Sequence, residues 1–293
     1  MQTNEAKLIR LHEDPTLFRE MLNYTAAETT FLPRLIEKDY FCSVVLEIVR
    51  GVEGLVFKGG TCLAKVHTDF YRLSEDLDFV IPMPVDSKKK QRSSAIDPAK
   101  RAFKRLTSEL TMFRAKEAFT GANNSTQYIG VLEYDSFLTN STESIKLEIS
   151  LREPLLESTV SLDARTILLN PSSNEQTVAP FGVTSISRRE AYAEKFRAAL
   201  TRRESAIRDY FDIDYAITRL DLNPNEEDII SLVRKKLSVP GNELQELSSD
   251  RLKALQLQLE TELKPVLRKG DYEKFDLNRA LHIVREMINH TAG

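Results

Sequence analysis

The chain has 293 residues, 41% hydrophobic and 29% charged, a balance that lets a soluble protein bury a sizeable core and leaves room for two domains. Its net charge of −3 excludes a general polycation, so any nucleic-acid contact has to come from a local patch. Two cysteines, Cys42 and Cys62, are too few for a disulfide framework or a zinc centre. No apolar run is long enough to span a membrane, and Met1–Arg10 lacks the apolar stretch of a secretory signal, so a cytoplasmic protein is expected.

Leu32 to Val49 reads as a helix, with Pro33 in its first turn and Leu35, Phe41, Val44, Val45 and Ile48 approximating a stripe. Leu55-Val56-Phe57 reads as a short strand, Gly59-Gly60 as a turn, and Thr61 to about Tyr71 as a second helix. Leu77 to Ile81 is a strand ended by Pro82 and Pro84. Lys88-Lys89-Lys90-Gln91-Arg92 is a basic run, followed by Lys100, Arg101, Lys104 and Arg105. It fits either a solvated charged face or a phosphate-binding patch, as do the pairs Arg188-Arg189 and Arg202-Arg203. Asp97-Pro98 has the form of an N-cap and first-turn pair, with Ala102, Phe103, Leu106, Leu110 and Phe113 as the apolar face behind it.

After a turn at Gly121–Thr126, Gln127–Leu138 and Ser144–Arg152 read as strands. The second alternates: Ile145, Leu147, Ile149 and Leu151 face one way, and Lys146, Glu148, Ser150 and Arg152 the other. Beyond about Pro180 the pattern turns helical. Ser187-Arg188-Arg189-Glu190 has the capping-box form and opens a helix to about Arg203. Helices then follow over Glu204–Leu220, Glu226–Leu237, Asp250–Leu263 and Leu277–Ile288. The expected architecture is α+β: an N-terminal domain over residues 1–180 and a helical domain over 181–293.

Three features carry chemistry. Asp76 and Asp78 lie two apart on a strand and so point to one face. Carboxylates about 4–5 Å apart repel by a few kcal/mol at an effective dielectric near 20 unless a cation intervenes. Mg²⁺, which takes oxygen ligands shared with phosphates, is the natural one. Gly59-Gly60-Thr61, between a strand and a helix, lets backbone N–H groups approach a phosphate, with the Thr61 hydroxyl as a further donor. It is neither a Walker A loop nor a dinucleotide fingerprint. Glu148 becomes a third carboxylate if its strand neighbours Leu77–Ile81, and two metals could then clamp an in-line displacement. Taken singly, each also fits a bland role: an acidic edge strand, a plain turn, or a Glu148 paired with Lys146 or Arg152. The four histidines receive no role.

Together, Phe57-Lys58-Gly59-Gly60-Thr61 and Arg72-x-Ser74-x-Asp76-x-Asp78-Phe79 resemble the AbiEii-type nucleotidyltransferases. These are toxins of type IV toxin–antitoxin systems, similar to the MenT toxins, in the DNA polymerase β-like superfamily. Ile36-Glu37-Lys38-Asp39-Tyr40, the A-E-K element in Glu190–Lys195 and the R-D-x-x-D element in Arg208–Asp212 extend the resemblance over Leu32 to Tyr215.

The resemblance implies a mixed nucleotidyltransferase sheet with flanking helices, and a helical domain that closes the active-site cleft. It implies an NTP held by Lys58, Gly59, Gly60, Thr61, Arg72, Ser74 and Lys195, and Mg²⁺ bound by Asp76, Asp78 and Glu148 in a two-metal site. Lys195 would contact phosphates, with Asp209 or Asp212 completing the site. Lys195 also fits a structural pair with either aspartate. The implied reaction transfers an NMP to an acceptor hydroxyl, such as a tRNA 3′ end, with an antitoxin as a possible partner. Protein modification, γ-phosphoryl transfer, or a nucleotide-binding module that engages an antitoxin are the alternatives. One departure is the spacing of about fourteen residues between Thr61 and Asp76, which a longer helix would absorb.

Overall fold

A computed structural model describes residues 9–292, so nearly all of the Met1–Arg10 segment examined for a secretory signal lies outside the described residues. The chain divides into two compact units, one ending at Ile186 and the other starting at Ser187. Among the described residues no helix is long and apolar enough to cross a membrane.

The first unit runs α1 (Pro15–Thr29), α2 (Pro33–Val49), β1 (Val56–Lys58), α3 (Gly59–Cys62), β2 (Leu77–Val80), α4 (Lys89–Ala95), α5 (Asp97–Glu109), β3 (Arg114–Ala122), β4 (Gln127–Asp135), β5 (Thr142–Ser150), β6 (Val160–Ala164) and β7 (Phe181–Ser185). Its seven strands form one sheet in the order β3-β4-β5-β2-β1-β7-β6. β2 runs parallel to β5 and antiparallel to β1, and β1 runs parallel to β7, so the sheet is mixed. β5 alternates in burial as its sequence does. Ile145, Leu147 and Ile149 are buried, while Lys146, Glu148 and Ser150 remain partly exposed on the opposite face. That alternation fixes the register, because a one-residue slip would exchange the two faces.

Helix α2 is buried from Leu35 to Val49, its charged residues included. Glu47 pairs locally with Arg50 at 2.8 Å, while the other three charges have partners drawn from elsewhere in the unit. Glu37 accepts from the Ser136 hydroxyl (2.7 Å) and the Phe137 N–H (2.6 Å). Lys38 meets Glu75 at 2.9 Å. Asp39 meets Lys65 at 2.7 Å and accepts from the Ile167 N–H at 3.2 Å. Buried charges persist only when paired and hydrogen-bonded in this way.

Two local expectations are corrected. The helix after the glycines does not reach Tyr71. It starts at Gly59, passes into a π-turn over Leu63–His67 and stops. The Thr68 hydroxyl donates to the Leu63 carbonyl at 2.8 Å, and Phe70 adopts φ +48° while its N–H bonds to Ala64. The long spacing to Asp76 is therefore taken up by an irregular segment, not by extra helix. At α5 the cap position is Ile96, itself in helical conformation after α4, so Asp97 and Pro98 both fall inside the first turn. Strands β3, β6 and β7 add to the two strands expected beyond Thr126.

The second unit is helical: α6 (Arg188–Thr201), α7 (Ile207–Arg219), α8 (Glu227–Leu237), α9 (Ser249–Gln258), α10 (Lys269–Tyr272) and α11 (Leu277–Ala292). The Ser187 hydroxyl caps α6 by accepting from the Glu190 N–H at 3.1 Å. The Glu190 carboxylate meets the buried Lys236 of α8 at 2.7 Å, and Glu194 meets it at 3.2 Å. Arg279 of α11 grips Asp214 of α7 with two bonds, of 2.6 and 2.8 Å. Polar clamps of this kind fix which faces of the helices meet.

Candidate active site

β2 carries the chemistry because of what flanks it. In the parallel ladder Asp78 stands opposite Glu148, and in the antiparallel ladder it stands opposite Lys58. Two acids and a lysine thus occupy one row across three adjacent strands, which lie about 4.8 Å apart. Asp76 precedes the strand by one residue and adds its charge to the same locality. Burial, then the neighbouring Glu148, pushes the Asp78 carboxyl up to about 6; Lys58 and Lys146 partly offset this, and Asp76 adds to it. Lys146 meets Glu148 at 3.1 Å from the same face of β5. Burial alone would lower the Lys146 pKa, but the Glu148 charge raises it.

The glycines are required by geometry. Gly59 sits at φ +79°, and a Cβ built there would collide with the Asp78 carboxylate. A Cβ on Gly60 would lie 2.5 Å from Nη2 of Arg72 and 3.0 Å from the Ser74 hydroxyl. The backbone at the start of α3 therefore runs directly against Asp78, Arg72 and Ser74. First-turn N–H groups have no partner within their own helix, which suits those of Gly60 and Thr61 to an anionic ligand. Gly59→Ala is expected to cost about 1–3 kcal/mol through the left-handed backbone alone. Urea denaturation beside Gly51→Ala, whose added methyl meets open space, measures the difference.

Two expected phosphate contacts have other duties. Thr61 is 1% exposed, and its hydroxyl donates to the backbone carbonyl of Asp76. That bond makes it a strap on the Asp76 segment. Arg72 is also buried, with Nη1 donating to the Leu73 carbonyl at 3.1 Å and its guanidinium 5.6 Å from the Tyr71 ring centre. It shapes the turn beneath Gly60.

A second strap was not foreseen from the sequence. Glu75, next to Asp76, is met by Lys38 at 2.9 Å and Arg34 at 3.2 Å, and both cations lie 3.6 Å from Glu143. Burial would raise the Glu75 carboxyl, but the Lys38 hydrogen bond and charge, with Arg34, hold it below its ordinary value. The available signal was the charged triplet Glu37-Lys38-Asp39 in an otherwise apolar helix.

Among the described residues no group of three or more His, Cys, Asp or Glu is gathered tightly enough to hold a metal unaided. The donors nonetheless fit Mg²⁺ in kind. They are hard carboxylate oxygens, they crowd their negative charge around Asp78, and this ion ordinarily takes one or two carboxylates and completes its shell with water and phosphate.

In the second unit, Lys195 of α6 meets both aspartates of α7, Asp209 at 2.9 Å and Asp212 at 2.8 Å. Arg202 lies 3.0 Å from the other oxygen of Asp209, outside hydrogen-bonding alignment. Burial alone would raise Asp209, but Lys195 and Arg202 hold it below its ordinary value. Both aspartates are thus in contact with the lysine, and the structural pair holds in this state.

No curated protein matches the chain. Three solved structures are similar to it, each at 15% identity. JHP933 from Helicobacter pylori has a TM-score of 0.46, covering 93% of this chain and 92% of its own. A putative nucleotidyltransferase from H. pylori has a TM-score of 0.45, with 93% and 95% covered. MenT4, a nucleotidyltransferase toxin from Mycobacterium tuberculosis H37Rv, has a TM-score of 0.43, with 94% and 98% covered. The family model described as nucleotidyl transferase AbiEii toxin, type IV toxin–antitoxin system, matches residues 46–281. That stretch takes in β1, β2, β5 and the helices bearing Lys195, Asp209 and Asp212, and the chain therefore belongs to the AbiEii family of nucleotidyltransferase toxins.

Proposed function

We propose that the protein transfers a nucleoside monophosphate from an NTP to a hydroxyl of an RNA acceptor, a tRNA 3′ end being the best candidate, with Mg²⁺ bound at Asp76, Asp78 and Glu148. The observation that carries this reading is the row Lys58–Asp78–Glu148 set against Gly59, a backbone with no room for a side chain. Membership of a toxin–antitoxin family supplies the nucleotide as substrate and a cognate antitoxin as partner.

In the reaction an acceptor oxygen bonds to the α-phosphorus, the bond to the β-phosphate oxygen breaks, and pyrophosphate leaves with the hydroxyl proton released. The carboxylates would hold one or two Mg²⁺ ions. When bound, such ions lower the pKa of the hydroxyl and neutralise charge on the α-phosphate. The N–H groups of Gly60 and Thr61 orient the triphosphate, while Lys58 and Lys146 offset its negative charge. Thr61, Lys38 and Arg34 hold the Asp76 segment in place. Lys195, held by Asp209 and Asp212, is the second unit's candidate phosphate contact. With NTP and RNA as its substrates, the protein would act in the cytoplasm.

The test is incubation with Mg²⁺, total RNA or total protein, and each NTP labelled at the α or γ phosphorus. Label from the α position on RNA alone is the expected result. Label from the γ position, label on protein, or tight NTP binding with no transfer to any acceptor would each overturn it. In the last case the chain would act as a nucleotide-dependent binding partner of its antitoxin.

A further inference from the structure

Residues 86–109 contain eight lysines and arginines against three acids, a net charge of +5 on a chain whose total is −3. The fold puts these charges on two consecutive helices of the first unit, α4 and α5. α5 buries Ala99, Ala102, Phe103 and Leu106, with Phe103 packed on Phe119 of β3 at 4.8 Å between ring centres. Its outer side presents two rows, Lys100 with Lys104 and Arg101 with Arg105, each pair one helical turn apart. Lys88, Lys89 and Lys90 stand exposed at the start of α4. Arg92, the eighth cation, is buried and ties α4 to the preceding loop through the Val85 carbonyl at 3.0 Å, so it supports the surface without belonging to it.

Of the seven surface cations, Arg105 alone has an ion-pair partner among the described residues, the exposed Glu109 at 3.5 Å. An exposed pair at that distance contributes little. On β3, by contrast, the cations Arg114 and Lys116 are paired with Asp135 and Glu133. The rest of the chain carries a net −8, so a polyanion is repelled from most of the molecule and drawn to this face.

We propose that the α4–α5 face is a docking surface for the sugar–phosphate backbone of base-paired RNA. This inference rests on the reading that the acceptor is RNA. Three features select that occupant. The cations form a ladder along a helix, suited to successive phosphates. Of the rings beside α5, Tyr128 is buried and covered by Lys100, whose Nζ lies 5.0 Å from its centre, and Phe103 is buried against Phe119, so the helix itself offers no platform for unstacked bases. The apolar side of α5 is consumed in the core, which leaves that helix no apolar side chain to insert into a lipid surface. The face thus recognises the shape and charge of a stem, whose end is then free to be the acceptor.

The test uses the full chain and a fluorescent RNA hairpin with a blocked 3′ end, titrated by anisotropy from 50 to 300 mM KCl. The quadruple variant K100Q/R101Q/K104Q/R105Q is compared with K235Q/K253Q in the second unit, and thermal melts confirm that both fold. Each lost phosphate contact should flatten the plot of log affinity against log salt by about 0.7–0.9. The quadruple variant should therefore lose a slope of about 3 and bind the hairpin at least tenfold more weakly at low salt, with NTP affinity unchanged. The control pair should bind as the parent does. An unchanged slope would overturn the proposal. So would loss confined to anionic lipid vesicles, or equal loss for an unstructured oligonucleotide of the same length. The two readings fail separately. Hairpin binding that depends on the four cations, without NMP transfer to any RNA, leaves the docking face standing and removes the RNA acceptor. RNA labelling with unchanged KM and salt slope in the quadruple variant does the reverse.

Discussion

Asp78→Asn is expected to abolish NMP transfer and at the same time to make the metal-free protein more stable at pH 8. Substituting the outer-shell supports of a metal site costs about 10–100-fold, so replacing a direct ligand should cost more than about 100-fold. The stability gain follows from the environment of the carboxyl. Burial and Glu148 raise its pKa from 3.8 to about 6. A carboxyl whose folded pKa is raised binds more protons folded than unfolded, so stability declines as pH climbs between about 4 and 6 and stays low above that. The full effect corresponds to at most about 3 kcal/mol, less whatever solvent screening removes. Asparagine never ionises and escapes the decline. Thermal melts at pH 5 and pH 8, with and without Mg²⁺, measure this. The parent should melt lower at pH 8 than at pH 5 and recover with Mg²⁺; the variant should show neither response. Transfer activity in Asp78→Asn, or a lower melting point at pH 8, would contradict the assignment.

Lys65→Met should be the most damaging single change in the first unit, at about 3–5 kcal/mol. The Lys65 side chain is 0% exposed. Its ammonium meets Asp39 at 2.7 Å, the Ser43 hydroxyl at 2.8 Å and the Arg165 carbonyl at 3.2 Å. Methionine fills similar volume but strands the Asp39 carboxylate, with the Ile167 N–H as a remaining donor at 3.2 Å. The penalty belongs to the stranded charge, not to the lost attraction. Adding Asp39→Asn to Lys65→Met should therefore restore much of the stability, and equilibrium denaturation of the four proteins in this cycle tests it. If the double variant is as unstable as the two single losses summed, Lys65 acts through packing and not through Asp39.

The parts of this molecule that were legible in sequence are those whose pattern is set by one partner surface. β5 faces a core on one side and an open face on the other, so its alternation named the inward residues and left Glu148 on the same side as the acidic pair. Gly59-Gly60 was visible because glycine is the residue that tolerates φ +79° beside a carboxylate. β6 and β7 were not visible. Val-Ser-Leu-Asp-Ala and Phe-Gly-Val-Thr-Ser are short and weakly patterned, and they become strands by pairing with each other and, for β7, with a strand more than a hundred residues earlier. The Lys38–Glu75 strap was hidden for a similar reason, since its partners lie 37 residues apart. For Thr61, the residue type was read as a ligand donor, whereas the hydroxyl is used by the Asp76 carbonyl once the chain folds over it. Local sequence reports what a residue can offer; the long-range pairing decides what takes the offer.

The contact between Gly59 and Asp78 has a consequence for how this site can vary through descent. The two positions are nineteen residues apart in sequence but compete for one volume. A lineage that gained a side chain at Gly59 would have to shed or displace the Asp78 carboxylate in the same step, and one that lost Asp78 would release Gly59 to drift. The two positions are therefore expected to change together. A descendant that keeps this fold without nucleotidyl transfer should be recognisable by both changes appearing together.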